Sequence, residues 1–334
     1  IEYQEIIMLN MHSLSRQALG TMLLAICAAM APVSAAYPER PVTLVVTYPP
    51  GGTADLVARM LAPEVSKELG QNVIVENRGG AGGMIGGASV AKAAPDGYTI
   101  MLDAANHAQN PAVQPKMLFD TLKDFAPITL IQRVPNVLVV RTDNPLTTVA
   151  EVISAGKKKE PSLYYASSGP GGAQHLAGVL FNALAGTHLE AVHYKGGSLA
   201  LTDVMSGQVT MMFSTVGTSL PNVRAGKLRV IAVGSDKRTA VYPDVPTIAE
   251  AGVPGYASYE WNAIYAPAAT PPAIIARLNQ AFVNALKQSS VIARIGEFNG
   301  EIIASTPQEL DTFRRAEIAK WQRVAKEFNL QLSQ

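Results

Sequence analysis

The amino-acid sequence predicts an α/β protein made of two similar units. Apolar, β-branched runs alternate with segments whose apolar residues recur at helical spacing, which is typical of a mostly parallel sheet flanked by helices. This alternation occurs twice along the chain. In each unit, one apolar run ends at a glycine-rich turn that opens a helix: PGGT at 50–53 and GPGG at 169–172.

The individual strands and helices are predicted from local patterns. Runs rich in Val, Ile and aromatic residues predict strands at 42–47, 73–76, 96–102, 135–141, 162–168, 189–194, 209–215 and 228–234. Helical spacing of apolar residues predicts helices at 56–69, after the glycine-rich segment that starts at 77, at 149–158, at 173–186 and, in two parts, at 271–330. Gly70 should end the first helix, Thr53 or Asp55 can cap its start, and Pro63 should kink it or shift that start.

Two stretches rich in proline and glycine divide the sequence into two predicted lobes. They lie near 127–135 and 243–256, where the chain is expected to cross from one lobe to the other. The predicted first lobe comprises residues 37–132 together with residues 260–334, and the predicted second lobe comprises residues 133–259.

The N-terminal part has the pattern of a secretory signal. A weakly basic flank precedes an apolar segment from Ala18 to Val33, and small residues follow at 34–36. That order predicts that residues 1–36 are an N-terminal extension and a cleaved signal peptide, and that the protein is exported to the periplasm. Cys27, the only cysteine, lies in this segment, so the exported chain would have no disulfide and no cysteine ligand for a metal.

Composition and motifs argue against several functional classes. A net charge of +1 over 334 residues argues against a nucleic-acid-binding surface. The five histidines show no metal-ligand spacing, and the sequence contains no nucleophile elbow, P-loop or dinucleotide fingerprint. We therefore expect no metal, no cofactor and no enzymatic activity. One enzymatic alternative stays open, an exported hydrolase in which Ser167 or Ser168 is the nucleophile and His175 the base.

The two glycine-rich turns are candidate anion sites. A helix N-terminus carries unpaired N–H groups and partial positive charge, and glycine lets a carboxylate come close to the backbone. One such turn is equally well explained as a tight connection without a ligand. Two such turns, one in each unit, favour a site where two lobes grip a small anion at the carboxyl ends of strands.

Long stretches of the sequence, in order along nearly all of the chain after residue 36, resemble one receptor family. They include YPERPVTLVVTYPPGGTADLVARML, YYASSGPGGAQHLAG, VHYKGGSLALTDVMSGQV and YPDVPTIAEAGVPGY. In them the chain resembles the Bug-type substrate-binding proteins of tripartite tricarboxylate transporters. The resemblance implies a two-lobed type II periplasmic binding protein fold, in which mixed, mostly parallel sheets flanked by helices are hinged by crossing strands. It also implies a monomer that captures a small organic carboxylate and delivers it to membrane subunits.

By position, the resemblance assigns ligand contacts to both lobes, mainly through backbone N–H groups and bridging waters. The assigned residues of the first lobe are Tyr48, Gly51, Gly52, Thr53, Asp55 and Asn106, in part within a cleft-lining loop at 104–107. Those of the second lobe are Ser167, Ser168, Gly169, Gly172 and Gln174, and His175 and Ser214 are two further candidate contacts there.

The chain departs from the family's pattern at positions that affect the ligand. Ser214 stands where relatives commonly carry an acidic residue, which points away from amino acids and towards di- or tricarboxylates or aromatic acids. Pro170 removes one N–H donor from the second turn. His175 is expected to make a structural hydrogen bond or to contact the ligand, and Trp261 to pack in the core or to cover an aromatic ligand. A receptor that contacts a signalling partner instead of a transporter stays open as an alternative.

Overall fold

The computed structural model describes residues 37–158, 161–194, 196–297 and 299–327. The predicted signal peptide therefore lies outside the described residues. The chain divides after Glu39, and the architecture below is that of the unit that begins at Arg40.

The described elements alternate between strands and helices, as the sequence predicts. The strands are Val42–Val46 (β1), Val73–Asn77 (β2), Thr99–Ala104 (β3), Phe125–Arg141 (β4), Tyr164–Ser167 (β5), Glu190–His193 (β6), Met211–Thr215 (β7), Leu228–Val233 (β8), Tyr259–Pro267 (β9) and Glu301–Ile302 (β10). The α-helices are Thr53–Leu69 (α1), Met84–Ala91 (α2), Asn106–Val113 (α3), Val149–Gly156 (α4), Ala173–Ala185 (α5), Gly197–Ser206 (α6), Val216–Arg224 (α7), Pro272–Leu286 (α8), Ser289–Glu297 (α9) and Pro307–Glu327 (α10). A short 3₁₀ helix, Ala81–Gly83, precedes α2.

The strands form a mixed sheet with the order β2-β1-β3-β9-β4-β7-β5-β6, and β8 and β10 also pair with β4. Two parallel groups are present, β2-β1-β3 and β7-β5-β6. The long strands β4 and β9 run antiparallel to their neighbours and join the two groups. This arrangement confirms the α/β class and the mixed sheet with flanking helices that the sequence predicts, with the parallel pairs confined to the two groups.

Strand β4 corrects one detail of the sequence-based prediction. The expected break near 127–135 is a continuous strand, whose first part pairs with β9 and whose last part pairs with β7 and β8. The sheet tolerates Pro127 because the pairing register shifts between Pro127 and Thr129 and again between Leu130 and Gln132. Proline is accepted at such irregularities, where no regular ladder hydrogen bond is lost. The segment at 243–256 is free of regular strands and helices, as predicted.

The first helix, α1, shows how local sequence sets an element's limits. It begins after Gly52, continues through Pro63 and ends at Gly70, which adopts a left-handed conformation with φ 73°. The Gly70 N–H bonds to the Ser66 carbonyl at 2.9 Å, which satisfies a free carbonyl at the helix end. Pro63 thus neither interrupts the helix nor moves its start.

Apolar packing holds the two strand groups and the C-terminal helix together. Trp261 is buried and its ring meets Phe313 of α10 edge-on, 5.4 Å between centroids. The same helix contributes Ile318 to the core around β3 and β9, and Trp321 to the core around β5 and β7. Trp261 is therefore a core residue, which is the first of the two roles expected for it. Within the described ranges, none of the helices combines the length and apolar character needed to cross a bilayer.

Candidate functional site

A cavity of about 710 Å³ lies where the two parallel strand groups meet. Pockets of this size are typical of small-molecule binding sites. The described lining residues are Tyr48, Pro49, Pro50, Gly51, Gly52, Thr53, Ala54, Leu56, Ala104, Ala105, Asn106, Val134, Ser168, Gly172, Ala173, Gln174, Gly196, Gly197, Ser198, Leu199, Thr215, Gly217, Thr218 and Glu260.

Five helix N-termini border this cavity. Lining residues belong to the first turn or the N-cap of α1, α3, α5, α6 and α7. Four of these helices have no side-chain cap, and only α7 is capped, by the Thr215 hydroxyl that accepts from the Thr218 N–H. The uncapped N–H groups and the helix dipoles contribute partial positive charge to the cavity wall. Among the described lining residues there is no Lys, Arg or His.

The first glycine-rich turn is held by a buried carboxylate. Asp55 accepts hydrogen bonds from the Gly51 N–H at 2.9 Å, from Arg59 at 2.9 Å and from Asn77 at 2.9 Å. Burial opposes ionisation of Asp55, but these three donors outweigh it and lower the pKa of the carboxyl below its usual value. Asp55 thus fixes the turn and occupies the Gly51 N–H. The N–H groups of Gly52 and Thr53 donate to no acceptor among the described residues.

The second glycine-rich turn is fixed by its own side chains. The Gly171 N–H donates to Nδ1 of His175 at 3.0 Å, and the Ser168 hydroxyl donates to Oε1 of Gln174. Burial, aided by the charge of His193, lowers the pKa of His175 to about 4, so its imidazole is neutral and accepts this hydrogen bond at neutral pH. The Ala173 N–H, at the first position of α5, has no acceptor among the described residues.

Asn106 connects the two sides of the cavity. Its Nδ2 donates to the Gly171 carbonyl at 2.8 Å, and its Oδ1 accepts from the Tyr48 hydroxyl at 3.4 Å. Asn106, at the start of α3, thus links the turn that follows β1 to the turn that follows β5. The neighbouring His107 points away from the cavity and bonds to buried Asp103 at 3.0 Å.

The structure brings eight of the thirteen predicted contact residues to the cavity. These eight are Tyr48, Gly51, Gly52, Thr53, Asn106, Ser168, Gly172 and Gln174. The other five do not line it. Asp55, Gly169 and His175 belong to the supporting turns. Ser167 is fully buried, with its hydroxyl 2.7 Å from Nδ1 of His193, and Ser214 is fully buried, with its hydroxyl donating to the Thr215 carbonyl.

Several lining residues lie outside the positions singled out from the sequence. Gly196, Gly197 and Ser198 begin α6, and the KGGS sequence there is a third glycine-rich turn between a strand and a helix. That pattern was available in the sequence. Glu260 offered no comparable signal, because only the sheet register brings it to the cavity, opposite Val134.

A known receptor family matches most of the chain. The model of the tripartite tricarboxylate transporter family receptor, TctC, matches residues 57–330. The chain belongs to this family. BugT of Bordetella pertussis is 34% identical over 305 residues, which are 90% of this chain and 94% of BugT. A UPF0065 protein of the tcbD-tcbE intergenic region of Pseudomonas sp. strain P51 is 35% identical over 300 residues, 90% of this chain and 89% of that protein.

Solved structures of relatives confirm the α/β periplasmic binding protein fold. R. palustris Rpa4515 with adipate is 38% identical with a TM-score of 0.79, over 89% of this chain and 100% of that one. MatC (Rpa3494) from Rhodopseudomonas palustris with bound malate is 34% identical with a TM-score of 0.77, over 86% and 99%. The periplasmic binding protein BugD is 32% identical with a TM-score of 0.77, over 88% and 100%. The family is one of solute-binding receptors, and two of these relatives hold small dicarboxylates.

Proposed function

We propose that this protein is a periplasmic receptor that captures a small organic carboxylate in the cavity and delivers it to the membrane subunits of a tripartite tricarboxylate-type transporter. The observation that carries the proposal is the convergence of five helix N-termini on one cavity. Because an unpaired N–H at a helix start donates well to an anion, this wall is suited to a carboxylate.

The second support for a carboxylate is the set of donors that the protein itself leaves unused. The N–H groups of Gly52, Thr53 and Ala173 have no acceptor among the described residues. A charge-assisted hydrogen bond to such a group is worth about 1.5–3 kcal/mol. Two or three of them, supported by the helix dipoles, can hold a carboxylate without a salt bridge. The adipate and malate found in two relatives are of the same chemical class.

We propose that residues 37–132 with 260–334 and residues 133–259 act as two lobes that close on the ligand. Contacts from both sides of the cavity would favour the closed arrangement and shift the population towards it. The hydrogen bond from Asn106 to the Gly171 carbonyl would be one contact of that closed arrangement. The closed monomer would then be recognised by the membrane subunits.

The geometry of the serines disfavours the hydrolase alternative. Ser167 is fully buried, and its hydroxyl lies next to His193 instead of His175. Ser168 borders the cavity, but its hydroxyl donates to Gln174, which cannot act as a base. Neither arrangement joins an accessible hydroxyl to a base that is itself oriented by a third group.

A receptor for a signalling partner would use the same ligand site, and a pull-down with transporter subunits distinguishes it from a transport receptor.

The proposal is tested by unfolding the ligand-free protein at increasing concentrations of adipate, malate, citrate, aromatic acids and amino acids. A ligand that binds only the folded state at 100 times its Kd stabilises it by about 2.7 kcal/mol. We expect a concentration-dependent increase in the unfolding temperature for at least one class of acid. No increase with any acid would contradict carboxylate capture.

A matched pair of variants tests the backbone donors. Thr53 is the first residue of α1, where proline is well accepted, and the preceding Gly52 is already extended, with φ −82° and ψ 169°. Thr53→Pro removes the N–H and the hydroxyl, whereas Thr53→Ala removes the hydroxyl alone. We expect the proline variant to bind the acid about 10- to 100-fold more weakly than the alanine variant. Equal affinities would show that this N–H does not hold the ligand.

A further inference from the structure

Glu260 is the one charged side chain among the described lining residues. It lies near the start of β9, opposite Val134 of β4, and both residues border the cavity. Its carboxylate makes no hydrogen bond and no ion pair with any described residue. A carboxylate in this position is unexpected in a site built for anions, because it repels the charge that the helix N-termini attract.

Arg133, which precedes Val134 in β4, and Asp236, which bonds to Tyr259, have partners other than Glu260. Arg133 bonds to Glu301 at 2.8 Å and its guanidinium lies 4.8 Å from the centre of the Tyr259 ring. Tyr259 donates its hydroxyl to Asp236. Neither Arg133 nor Asp236 lines the cavity. Glu260 is therefore not half of an internal ion pair among the described residues.

Burial raises the pKa of Glu260 to about 6. Tyr48, the other titratable lining residue that the structure describes, stays protonated, because burial and then the charges of Asp103 and Glu260 raise the pKa of its phenol. At neutral pH the cavity thus combines helix N-termini with one ionised, unpaired carboxylate. Such a desolvated charge is unfavourable unless a partner of opposite sign compensates it.

We propose that Glu260 forms a cation-accepting subsite, and that the ligand is a carboxylic acid that also carries a protonated amino group. The ligand's carboxylate would lie at the helix N-termini, and its ammonium group would donate to the Glu260 carboxylate. This inference rests on the proposed receptor function and narrows its ligand class. Ser214, which stands at the position of the acid common in relatives, is fully buried and does not line the cavity. Glu260 supplies an acidic group at a different place.

The test compares acids that differ by one amino group: succinate with L-aspartate, glutarate with L-glutamate, adipate with 2-aminoadipate, and 3-phenylpropionate with L-phenylalanine. Calorimetric titration at pH 7.5 measures their affinities for the purified, ligand-free protein, for Glu260→Gln and for Glu297→Gln. Glu297 is a matched control because it is an exposed glutamate that bonds to Arg294 and does not line the cavity. We expect the wild type and Glu297→Gln to bind at least one amino acid tenfold or more tightly than its counterpart.

In Glu260→Gln this preference should be lost or reversed, through weaker binding of the amino acid and stronger binding of the unsubstituted acid. An unchanged preference in Glu260→Gln, or a tighter binding of the unsubstituted acid by the wild type, would overturn the subsite while leaving the receptor function intact. An equal weakening of both members of a pair would also overturn it, because a purely structural role predicts that result. Failure of the receptor function itself would be distinct, since the wild type would then bind none of the acids.

Discussion

Replacing Glu260 by glutamine should stabilise the ligand-free protein at neutral pH, because it removes a desolvated charge. The pKa of the carboxyl rises from an ordinary 4.5 to about 6 in the fold. A difference of about 1.5 in pKa, at about 1.36 kcal/mol each, makes ionisation about 2 kcal/mol less favourable in the folded than in the unfolded chain. An acid whose pKa is raised by folding lowers stability as the pH rises from about 4.5 to about 6, and its full penalty remains above that range. The stabilisation of the glutamine variant should therefore be complete at pH 7.5 and absent near pH 4.

Guanidinium unfolding of the wild type, Glu260→Gln and Glu297→Gln at pH 7.5 and pH 4 measures this effect. Thermal unfolding gives a second readout. With an unfolding entropy of about 2.1 cal/mol/K per residue, a gain of about 2 kcal/mol raises the unfolding temperature by about 3 °C. The control variant should show no comparable gain. Equal stability of wild type and Glu260→Gln at pH 7.5, or a gain of the same size at pH 4, would refute the view that Glu260 is ionised and unpaired.

Two further substitutions test the first turn at the cavity, and a third tests the packing of helix α5 on strand β5. A Cβ at Gly52 would meet only the Pro49 carbonyl oxygen, at 3.8 Å. We therefore expect Gly52→Ala to unfold at the same denaturant concentration as the wild type but to bind the acid at least tenfold more weakly in a titration. Unchanged binding would count against close approach of the ligand. Asp55→Asn should lower the free energy of unfolding at pH 7 by about 1–3 kcal/mol. This difference from the wild type should shrink as the pH falls through the lowered pKa of Asp55. A difference that does not change with pH would be inconsistent with an ionised carboxylate. In Gly178→Ala the new Cβ would lie 2.3 Å from the Tyr165 ring. Urea unfolding should therefore show a free energy of unfolding that is about 1–3 kcal/mol lower than that of the wild type. An unchanged free energy of unfolding would contradict that packing.

Much of the fold was predictable because its signals are local. Apolar β-branched runs and glycine-rich turns mark where strands pass into helices, and the strands found at 42–46, 164–167 and 211–215 agree with those patterns. The continuity of β4 was not predictable, because its prolines resemble breaks in the sequence. Its tolerance of Pro127 depends on register shifts against β9, a strand more than 120 residues away in the chain.

The candidate site was likewise predictable from the sequence only in part. The turns at Gly52 and Gly172 were identified from sequence because a glycine-rich helix start has a physical signature. The distinction between a lining residue and a supporting one was not visible, as Asp55 shows by turning inward to the Gly51 N–H. Glu260 could not be found at all, because its place in the cavity follows from the pairing of β9 with β4.

A crystal structure of the protein with the acid that stabilises it most tests carboxylate capture at the helix N-termini directly. We expect one carboxylate in the cavity, with its oxygens within about 3.2 Å of backbone N–H groups at the starts of α1 and α5. An acid bound outside this cavity, or a carboxylate held by basic side chains with the N–H groups of Thr53 and Ala173 left unpaired, would contradict it.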